Sequence, residues 1–148
     1  MSKSKEIKKA ALYLRVESEQ IETGRPSLEA QEKACREFCA TQGIEVSEAH
    51  IYRDIGKGLD DFRPGLSAMI RTLETEYVDT VVVYKLDRLT RKTKFLLNIL
   101  HNLAENGIGF RSATELIDTE AGNGLIIHML GALAVAEREV LQTRRYSK

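Results

Sequence analysis

Short apolar segments typical of β-strands alternate along the whole chain with longer amphipathic segments typical of α-helices. The strand-like segments are 10–16, 44–53, 78–84 and 108–113, and the helix-like segments are 28–42, 64–76, 92–106 and 123–148. Such alternation predicts an α/β fold, a mainly parallel sheet wrapped by helices. A chain of 148 residues is long enough for one such domain. We therefore predict one α/β core over 1–122, followed by a long C-terminal helix.

Residues at the segment ends support this division. Ser27 is a good N-cap for the first helix, and Gly43 suits the position just after its end. Pro64 fits the first turn of the second helix, and Gly107 ends the third. Between the second strand and the second helix, the glycine-containing segment 54–62 is predicted to be a flexible loop.

Charge and composition narrow the possible partners. Lys+Arg and Asp+Glu both number 22, so a nucleic acid would have to be bound by a local basic patch. No segment approaches about 20 consecutive apolar residues, and the N-terminus lacks the apolar core of a signal peptide. We therefore expect a cytoplasmic protein with no membrane partner. Cys35 and Cys39 are predicted to be reduced thiols in the core, and no metal is expected because the histidines show no ligand spacing.

The run YKLDRLTR, residues 84–91, places cations where a strand passes into a helix. Its Lys85, Arg88 and Arg91 are three residues apart, so a helical or turn backbone would hold them on one face. Ligands of open α/β sheets bind at this carboxyl edge, and grouped cations there suit a phosphate-bearing partner. A solvated helix start is the alternative. It is disfavoured because acidic side chains, not basic ones, stabilise a first helical turn.

The last helix-like segment has an unusual composition. Its first half, 125–136, is almost uniformly apolar, which is typical of a helix that is buried on more than one side. Its second half is polar and reaches Lys148 without a stop signal. We predict a helix that leaves the domain, packs against another subunit and is truncated at Lys148. A central core helix of a monomer is the alternative.

A series of short motifs runs through nearly the whole chain. They are YLRV at 13–16 with a serine after it, SLEAQ at 27–31, YRD at 52–54, FRPGL at 62–66, YKLDRLTR at 84–91 and GALAVAERE at 131–139. In this order and spacing they resemble the catalytic domain of the serine recombinases, the resolvase and invertase superfamily. The form of the motifs is most similar to the large serine recombinases of the phage integrase and transposase branch.

The resemblance implies a site-specific DNA recombinase. A serine hydroxyl of such an enzyme attacks a DNA phosphodiester and forms a 5′-phosphoserine link, and the strands are then exchanged and rejoined without metal or other cofactor. The implied partners are double-stranded DNA attachment sites and further copies of the chain, which form a homodimer and then a homotetramer in the full-length protein. The resemblance also implies C-terminal DNA-binding domains, which we do not expect within these 148 residues.

The resemblance also assigns site residues, position by position. Because no metal is used, arginines must neutralise the phosphorane, and the bidentate guanidinium suits its oxygens. Asp87 matches an aspartate that could hold an arginine or handle the leaving-group proton. The matching arginines are Arg15, Arg88 and Arg91, with Arg63 and Arg138 as two further ones. The supporting positions are Tyr13, Glu17, Gln20, Gln31, Asp54, Lys85 and Glu137, of which the two glutamines resemble residues that arrange the nucleophile loop.

Several of these residues also have a plain structural interpretation. Asp87 could form only an exposed ion pair with a neighbouring arginine, worth less than about 1 kcal/mol. Arg63 could merely flank the start of a helix. Glu137 and Arg138 could be a pair on a helix surface.

The chain departs from the family pattern at the nucleophile. The family has a serine two residues after the first arginine, whereas this chain has Glu17 there and Ser18 next. Strand alternation puts residue 17 on the same side as Arg15, although a bulge or the start of a loop would bring Ser18 round. Either Ser18 is the nucleophile, or Glu17 has replaced it and the chain is a catalytically silent, DNA-dependent assembly module.

A third hypothesis belongs to a different functional class. It is a receiver-like or nucleotide-binding α/β domain with Asp54 or Asp87 in an acidic pocket. The absence of a glycine-rich phosphate loop and the excess of cations at the predicted site disfavour it.

Overall fold

A computed structural model describes residues 7–17, 26–56, 63–85, 88, 93–115 and 118–119. Strands and helices alternate in this part of the chain, as predicted. They are β1 (Lys8–Val16), α1 (Leu28–Gln42), β2 (Ile44–Ile55), α2 (Pro64–Thr75), β3 (Thr80–Val83), α3 (Thr93–Glu105) and β4 (Gly109–Ser112). No described helix is long and apolar enough to cross a membrane. The predicted last helix, 123–148, lies outside the described residues.

The described strands form one sheet in the order β2-β1-β3-β4, and every neighbouring pair is parallel. The prediction of a parallel sheet is therefore confirmed. From β1 the chain moves outward to β2, then crosses back to place β3 on the other side of β1. The direction of winding thus changes between β1 and β3. In open α/β sheets the carboxyl ends of the strands at such a switch point form the ligand-binding crevice.

Helices cover both faces of the sheet. On one face, Leu12 and Leu14 of β1 are buried with Cys35 and Cys39 of α1. Both cysteines are free and buried, which confirms the prediction of reduced thiols in the core. Burial raises the pKa of Cys35 to about 12 and that of Cys39 to about 11. On the other face, the alternate β1 residues pack against α2 and α3. The buried residues of those two helices are Leu66, Met69, Leu96, Ile99, Leu100 and Leu103.

The bounds of α1 agree with the sequence prediction, because both of its ends carry a strong local signal. The Ser27 hydroxyl accepts a hydrogen bond from the Ala30 N–H at 3.1 Å. Gly43 has a φ of 70°, in the left-handed region that glycine adopts readily.

The end of β2 differs from the prediction. Asp54 was expected to begin a loop, but β2 continues to Ile55. The reason is pairing with β1, because Arg15 lies opposite Asp54 and the Gly56 N–H donates to the Val16 carbonyl at 3.0 Å. Asp54 is consequently a fixed residue of the sheet, 5% exposed.

Gly65, in the first turn of α2, lies directly against the backbone of β2. A Cβ there would stand 2.4 Å from the Arg53 carbonyl oxygen and 2.9 Å from Asp54 Oδ1. Alanine normally stabilises a helix relative to glycine by about 1 kcal/mol. Here we expect Gly65→Ala to lower the free energy of unfolding by about 1–3 kcal/mol, because α2 must move away from β2. Urea denaturation measures the change.

Gly43→Ala is the comparison for this experiment. Its Cβ would meet no atom within 4 Å, but its positive φ of 70° is unfavourable for alanine, so we expect a loss of about 1–2 kcal/mol from backbone strain alone. Only Gly65→Ala should also displace α2 and the residue before it. A Gly65→Ala variant as stable as the unmodified protein would show that α2 does not approach β2 this closely.

Candidate active site

Three buried charged residues meet at the carboxyl edge of the sheet. Arg15 lies near the end of β1, Asp54 near the end of β2, and Arg63 directly before α2. They are 4%, 5% and 8% exposed, respectively. Burying charged groups costs stability unless they are paired and hydrogen-bonded, so a folded protein rarely gathers several of them without a functional reason.

Asp54 joins the sheet to the start of α2. Its Oδ2 accepts hydrogen bonds from the Tyr13 hydroxyl at 2.7 Å and the Leu66 N–H at 2.9 Å, and its Oδ1 accepts one from the Gly65 N–H at 2.7 Å. Burial and the hydrogen bond to Asp54 raise the pKa of Tyr13, so the phenol remains a donor. A carboxylate at a helix N-terminus is also stabilised by the helix dipole. Because Arg63 immediately precedes α2, Asp54 determines where Arg63 lies.

Gln31 fixes the backbone of Arg15. Its side chain is fully buried, its Oε1 accepts from the Arg15 N–H at 3.2 Å, and its Nε2 donates to the Arg15 carbonyl at 2.8 Å and to the Pro26 carbonyl at 3.2 Å. The Val16 carbonyl accepts a hydrogen bond from the Gly56 N–H, on the β2 side of β1. Because successive residues of a strand direct their backbone N–H and C=O groups to opposite sides, those of Arg15 point away from β2. There β3 has already ended at Val83. The Gln31 amide thus takes the place of a neighbouring strand.

The electrostatic surroundings of Arg15 favour an anionic ligand. Burial, followed by the neighbouring Arg63 cation, lowers the pKa of Arg15, while Tyr13, Glu17 and Asp54 act in the opposite direction. Arginine remains protonated even so, because the guanidinium group is the most basic of the protein side chains. Two guanidinium cations are therefore held close together with little solvent to screen them. A phosphate oxygen bound between them would relieve their repulsion.

The turn after β3 brings further cations to the same edge. The Arg88 N–H donates to the Lys85 carbonyl at 3.0 Å, which closes a turn just beyond Val83. Lys85 is exposed and Arg88 is partly buried. A turn therefore joins Lys85 to Arg88, while Asp87 and Arg91 lie outside the described residues.

The structure describes eight of the predicted site residues, and all lie where strands end or helices begin at this edge. They are Tyr13, Arg15, Glu17, Gln31, Asp54, Arg63, Lys85 and Arg88. The remaining predicted residues lie outside the described part of the chain. They are Ser18, Gln20, Asp87, Arg91, Glu137 and Arg138.

Two features of the site were not recognised from the sequence. The close approach of Gly65 to β2 was signalled only by a glycine in the first turn of a helix, after Pro64. The anchoring role of Asp54 could not be predicted, because its hydrogen-bond donors are distant along the chain: Tyr13 is in β1, and Gly65 and Leu66 follow the loop after β2. Both oxygens of Asp54 are engaged, which argues against the hypothesis of an open acidic pocket around this residue. Within the described ranges, no group of three or more His, Cys, Asp or Glu side chains could hold a metal ion.

Sequence comparison finds two kinds of similarity. The family model described as the resolvase N-terminal domain matches residues 10–148. The serine recombinase gin of Escherichia phage Mu is 43% identical over 95 residues, which is 64% of this chain and 48% of that protein. The chain spans about half the length of the curated relatives it matches first.

Solved structures of related proteins share the fold. The N-terminal catalytic domain of TP901-1 integrase is 34% identical with a TM-score of 0.76, over 90% of this chain and 98% of that one. A resolvase family site-specific recombinase from Streptococcus pneumoniae is 29% identical with a TM-score of 0.79, over 93% of each chain.

Proposed function

We propose that this chain, which belongs to the resolvase N-terminal domain family, is the part of a site-specific serine recombinase that breaks and rejoins DNA. Its relatives include serine recombinases and DNA invertases. The observation that carries the proposal is the pair of buried guanidinium groups, Arg15 and Arg63, at the carboxyl edge of the sheet. A phosphodiester is the anion that such a pair suits.

In the proposed reaction, the hydroxyl oxygen of Ser18 attacks the phosphorus of a DNA phosphodiester. The hydroxyl gives up its proton as the oxygen–phosphorus bond forms, the bond from phosphorus to the 3′-oxygen breaks, and the departing 3′-oxygen takes up one proton, so that no net proton is gained or lost. The products are a 5′-phosphoserine link and a 3′-hydroxyl, and the reverse steps rejoin the strands. Arg15, Arg63 and Arg88 would stabilise the negative charge of the phosphorane, and Asp87 would handle the leaving-group proton.

The other predicted site residues have supporting roles in this proposal. Arg91 and Arg138 would add positive charge around the phosphate, beside Glu137. Gln20 would help to arrange the nucleophile segment, and Lys85 would attract the DNA backbone from its exposed position. No metal or other cofactor takes part.

We further propose that the working enzyme is an assembly. The chain would supply a catalytic core over 1–122 and the beginning of an oligomerisation helix over 123–148, whose segment 125–136 is almost entirely apolar. Further domains of the full-length protein would bind the DNA attachment sites. A homodimer would bind each site, and two dimers would form the tetramer that exchanges strands in the cytoplasm.

Glu17 supports a second candidate function. It directly follows β1, is partly buried, and lies near enough to Arg15 to affect its pKa. If Glu17 occupies the nucleophile position, the chain binds DNA and assembles on it but cuts no strand. In that case it would be a catalytically silent relative.

The test is to incubate the full-length protein with its attachment-site DNA, denature the mixture in detergent and look for a covalent protein–DNA species. We expect a covalent adduct in which peptide mapping locates the DNA link at Ser18. Ser18→Ala should abolish this adduct. Ser47→Ala, an exposed site in β2, is the matched control. DNA binding without an adduct would support the silent alternative, and an adduct on a residue remote from this edge would contradict both.

A further inference from the structure

The backbone that leaves β3 is held by the end of the neighbouring strand. Val83, the last residue of β3, pairs with Ser112 of β4, and its carbonyl accepts a hydrogen bond from the Ala113 N–H at 2.8 Å. Tyr84, the next residue, lies beyond the last pair of the two strands. Its carbonyl oxygen therefore needs a donor from outside the β-ladder.

Two hydroxyl groups at the end of β4 supply that donor. The Thr114 hydroxyl donates to the Tyr84 carbonyl at 2.6 Å, and the Ser112 hydroxyl lies 3.1 Å from the same oxygen. Ser112 has only one proton to give, and a carboxylate oxygen of Glu115 at 3.2 Å is a second acceptor for it. The shorter bond, from Thr114, is therefore the main restraint on the Tyr84 carbonyl.

The segment that carries Thr114 is itself fixed to the sheet. Ser112 is 1% exposed, and its Oγ accepts hydrogen bonds from the Thr114 N–H at 3.4 Å and the Glu115 N–H at 3.2 Å. Thr114 is thus attached to a buried residue of β4. It can hold the Tyr84 carbonyl in place instead of moving with it.

This contact lies one residue before the cationic turn of the candidate site. Tyr84 directly precedes Lys85, whose carbonyl accepts the Arg88 N–H at 3.0 Å. The position of the Tyr84 carbonyl therefore determines where the turn begins. A guanidinium group binds a phosphate well only when it is held within about 0.5 Å of the required position.

We propose that Thr114 is a positioning residue of the phosphate site, which holds the Tyr84 carbonyl and thereby fixes the turn that presents Arg88 to the DNA phosphate. Thr114 acts through Arg88, not on the DNA itself. The inference rests on the proposed function, because it assumes that Arg88 binds phosphate. Thr114 is exposed, so water can replace its hydroxyl as a donor, but water cannot hold the carbonyl in one position.

The experiment measures the affinity of this chain for inorganic phosphate by calorimetric titration at constant ionic strength. Thr114→Val keeps the shape of the side chain and removes its hydroxyl. We expect the Kd to rise about fivefold, the ratio that corresponds to one typical hydrogen bond between neutral groups. Thermal unfolding should change little. Thr114→Ser keeps the hydroxyl and should leave the Kd within about twofold of that of the unmodified protein.

A double-mutant cycle tests whether Thr114 acts through Arg88. Arg88→Met alone should raise the Kd about tenfold, as expected for the loss of a charge-assisted hydrogen bond. Adding Thr114→Val to Arg88→Met should raise it no further, because the group that Thr114 positions is then gone.

Thr41→Val is the matched control. The exposed Thr41 hydroxyl also donates to a backbone carbonyl, that of Phe38 at 2.8 Å, but it lies in the last turn of α1, at the opposite edge of the sheet. The substitution removes the same kind of hydrogen bond and should leave the Kd within about twofold.

The outcomes separate the two proposals. Binding that Arg88→Met weakens but Thr114→Val leaves unchanged would overturn the positioning role and leave the proposed function standing. A fivefold effect of Thr114→Val that persists alongside Arg88→Met would also overturn it, since Thr114 would then act on another part of the protein. Binding that depends on Arg15 but not on Arg88 has the same consequence. If phosphate binding depends on neither arginine, both the positioning role and the proposed phosphate site are wrong.

Discussion

Asp54→Ala lowers the free energy of unfolding by about 3–5 kcal/mol, the loss expected when one member of a buried charged network is removed. The substitution leaves three donors without their acceptor, namely the Tyr13 hydroxyl and the backbone N–H groups of Gly65 and Leu66. Each buried donor left unsatisfied costs about 1–3 kcal/mol, and water entering the site recovers part of this. Urea denaturation followed by circular dichroism measures the loss.

Asp79→Ala is the matched control for this prediction. Asp79 Oδ2 accepts one hydrogen bond, from the Lys9 N–H at 2.8 Å, at an exposed position. Its loss should cost about 1 kcal/mol. Asp54→Asn keeps one carbonyl acceptor and should fall between the two. If Asp54→Ala costs no more than Asp79→Ala, Asp54 does not anchor α2, and the argument that it positions Arg63 fails.

Arg15→Met is expected to have the opposite pattern, a loss of phosphate binding without a loss of stability. The folded state lowers the pKa of Arg15, chiefly through burial and then through Arg63. A base whose pKa is lower in the folded state binds its proton less tightly there, so its charge destabilises the fold. We therefore expect Arg15→Met to unfold at the same temperature as the unmodified protein or a higher one.

The effect of Arg15→Met on binding should be large. A charge-assisted hydrogen bond contributes about 1.5–3 kcal/mol, so the Kd for inorganic phosphate should rise about 10- to 100-fold. Where the full-length protein forms a covalent adduct with DNA, its rate should fall about 10²- to 10³-fold, as when a preorganised charge-stabilising group is removed.

Arg71→Met, at an exposed position of α2, is the control for the same loss of charge. It should change neither phosphate binding nor the adduct rate by more than about twofold, as expected for a solvated surface charge. Two results would count against the role of Arg15: phosphate binding that survives Arg15→Met, or a loss of stability as large as that of Asp54→Ala.

The ends of a helix could be predicted from the sequence where capping residues determine them. The bounds of α1 follow from Ser27 and Gly43, which act within one turn of the helix ends. The end of β2 could not be found this way. Whether Asp54 continues a strand depends on its pairing with Arg15 in β1, and this contact joins distant parts of the chain.

For the candidate site, too, the sequence could predict some features and not others. Motif resemblance singled out Arg15 and Arg63, and the alternation of strands and helices predicted a ligand edge where strands end. The burial of Arg63 follows from how the N-terminus of α2 docks on β2, through Asp54 and Gly65. That docking is a property of the packed fold, so no pattern within the FRPGL motif alone could reveal it.

Binding of the scissile phosphate by Arg15 is tested by a cryo-EM structure of the full-length protein bound to its attachment-site DNA. The distance to measure joins a non-bridging oxygen of that phosphate to the nearest guanidinium nitrogen of Arg15. We expect a hydrogen bond between these atoms, with a distance of about 2.7–3.2 Å. A scissile phosphate bound elsewhere, such as against the groove between α2 and α3 that Met69, Ile99 and Leu103 line, would contradict it.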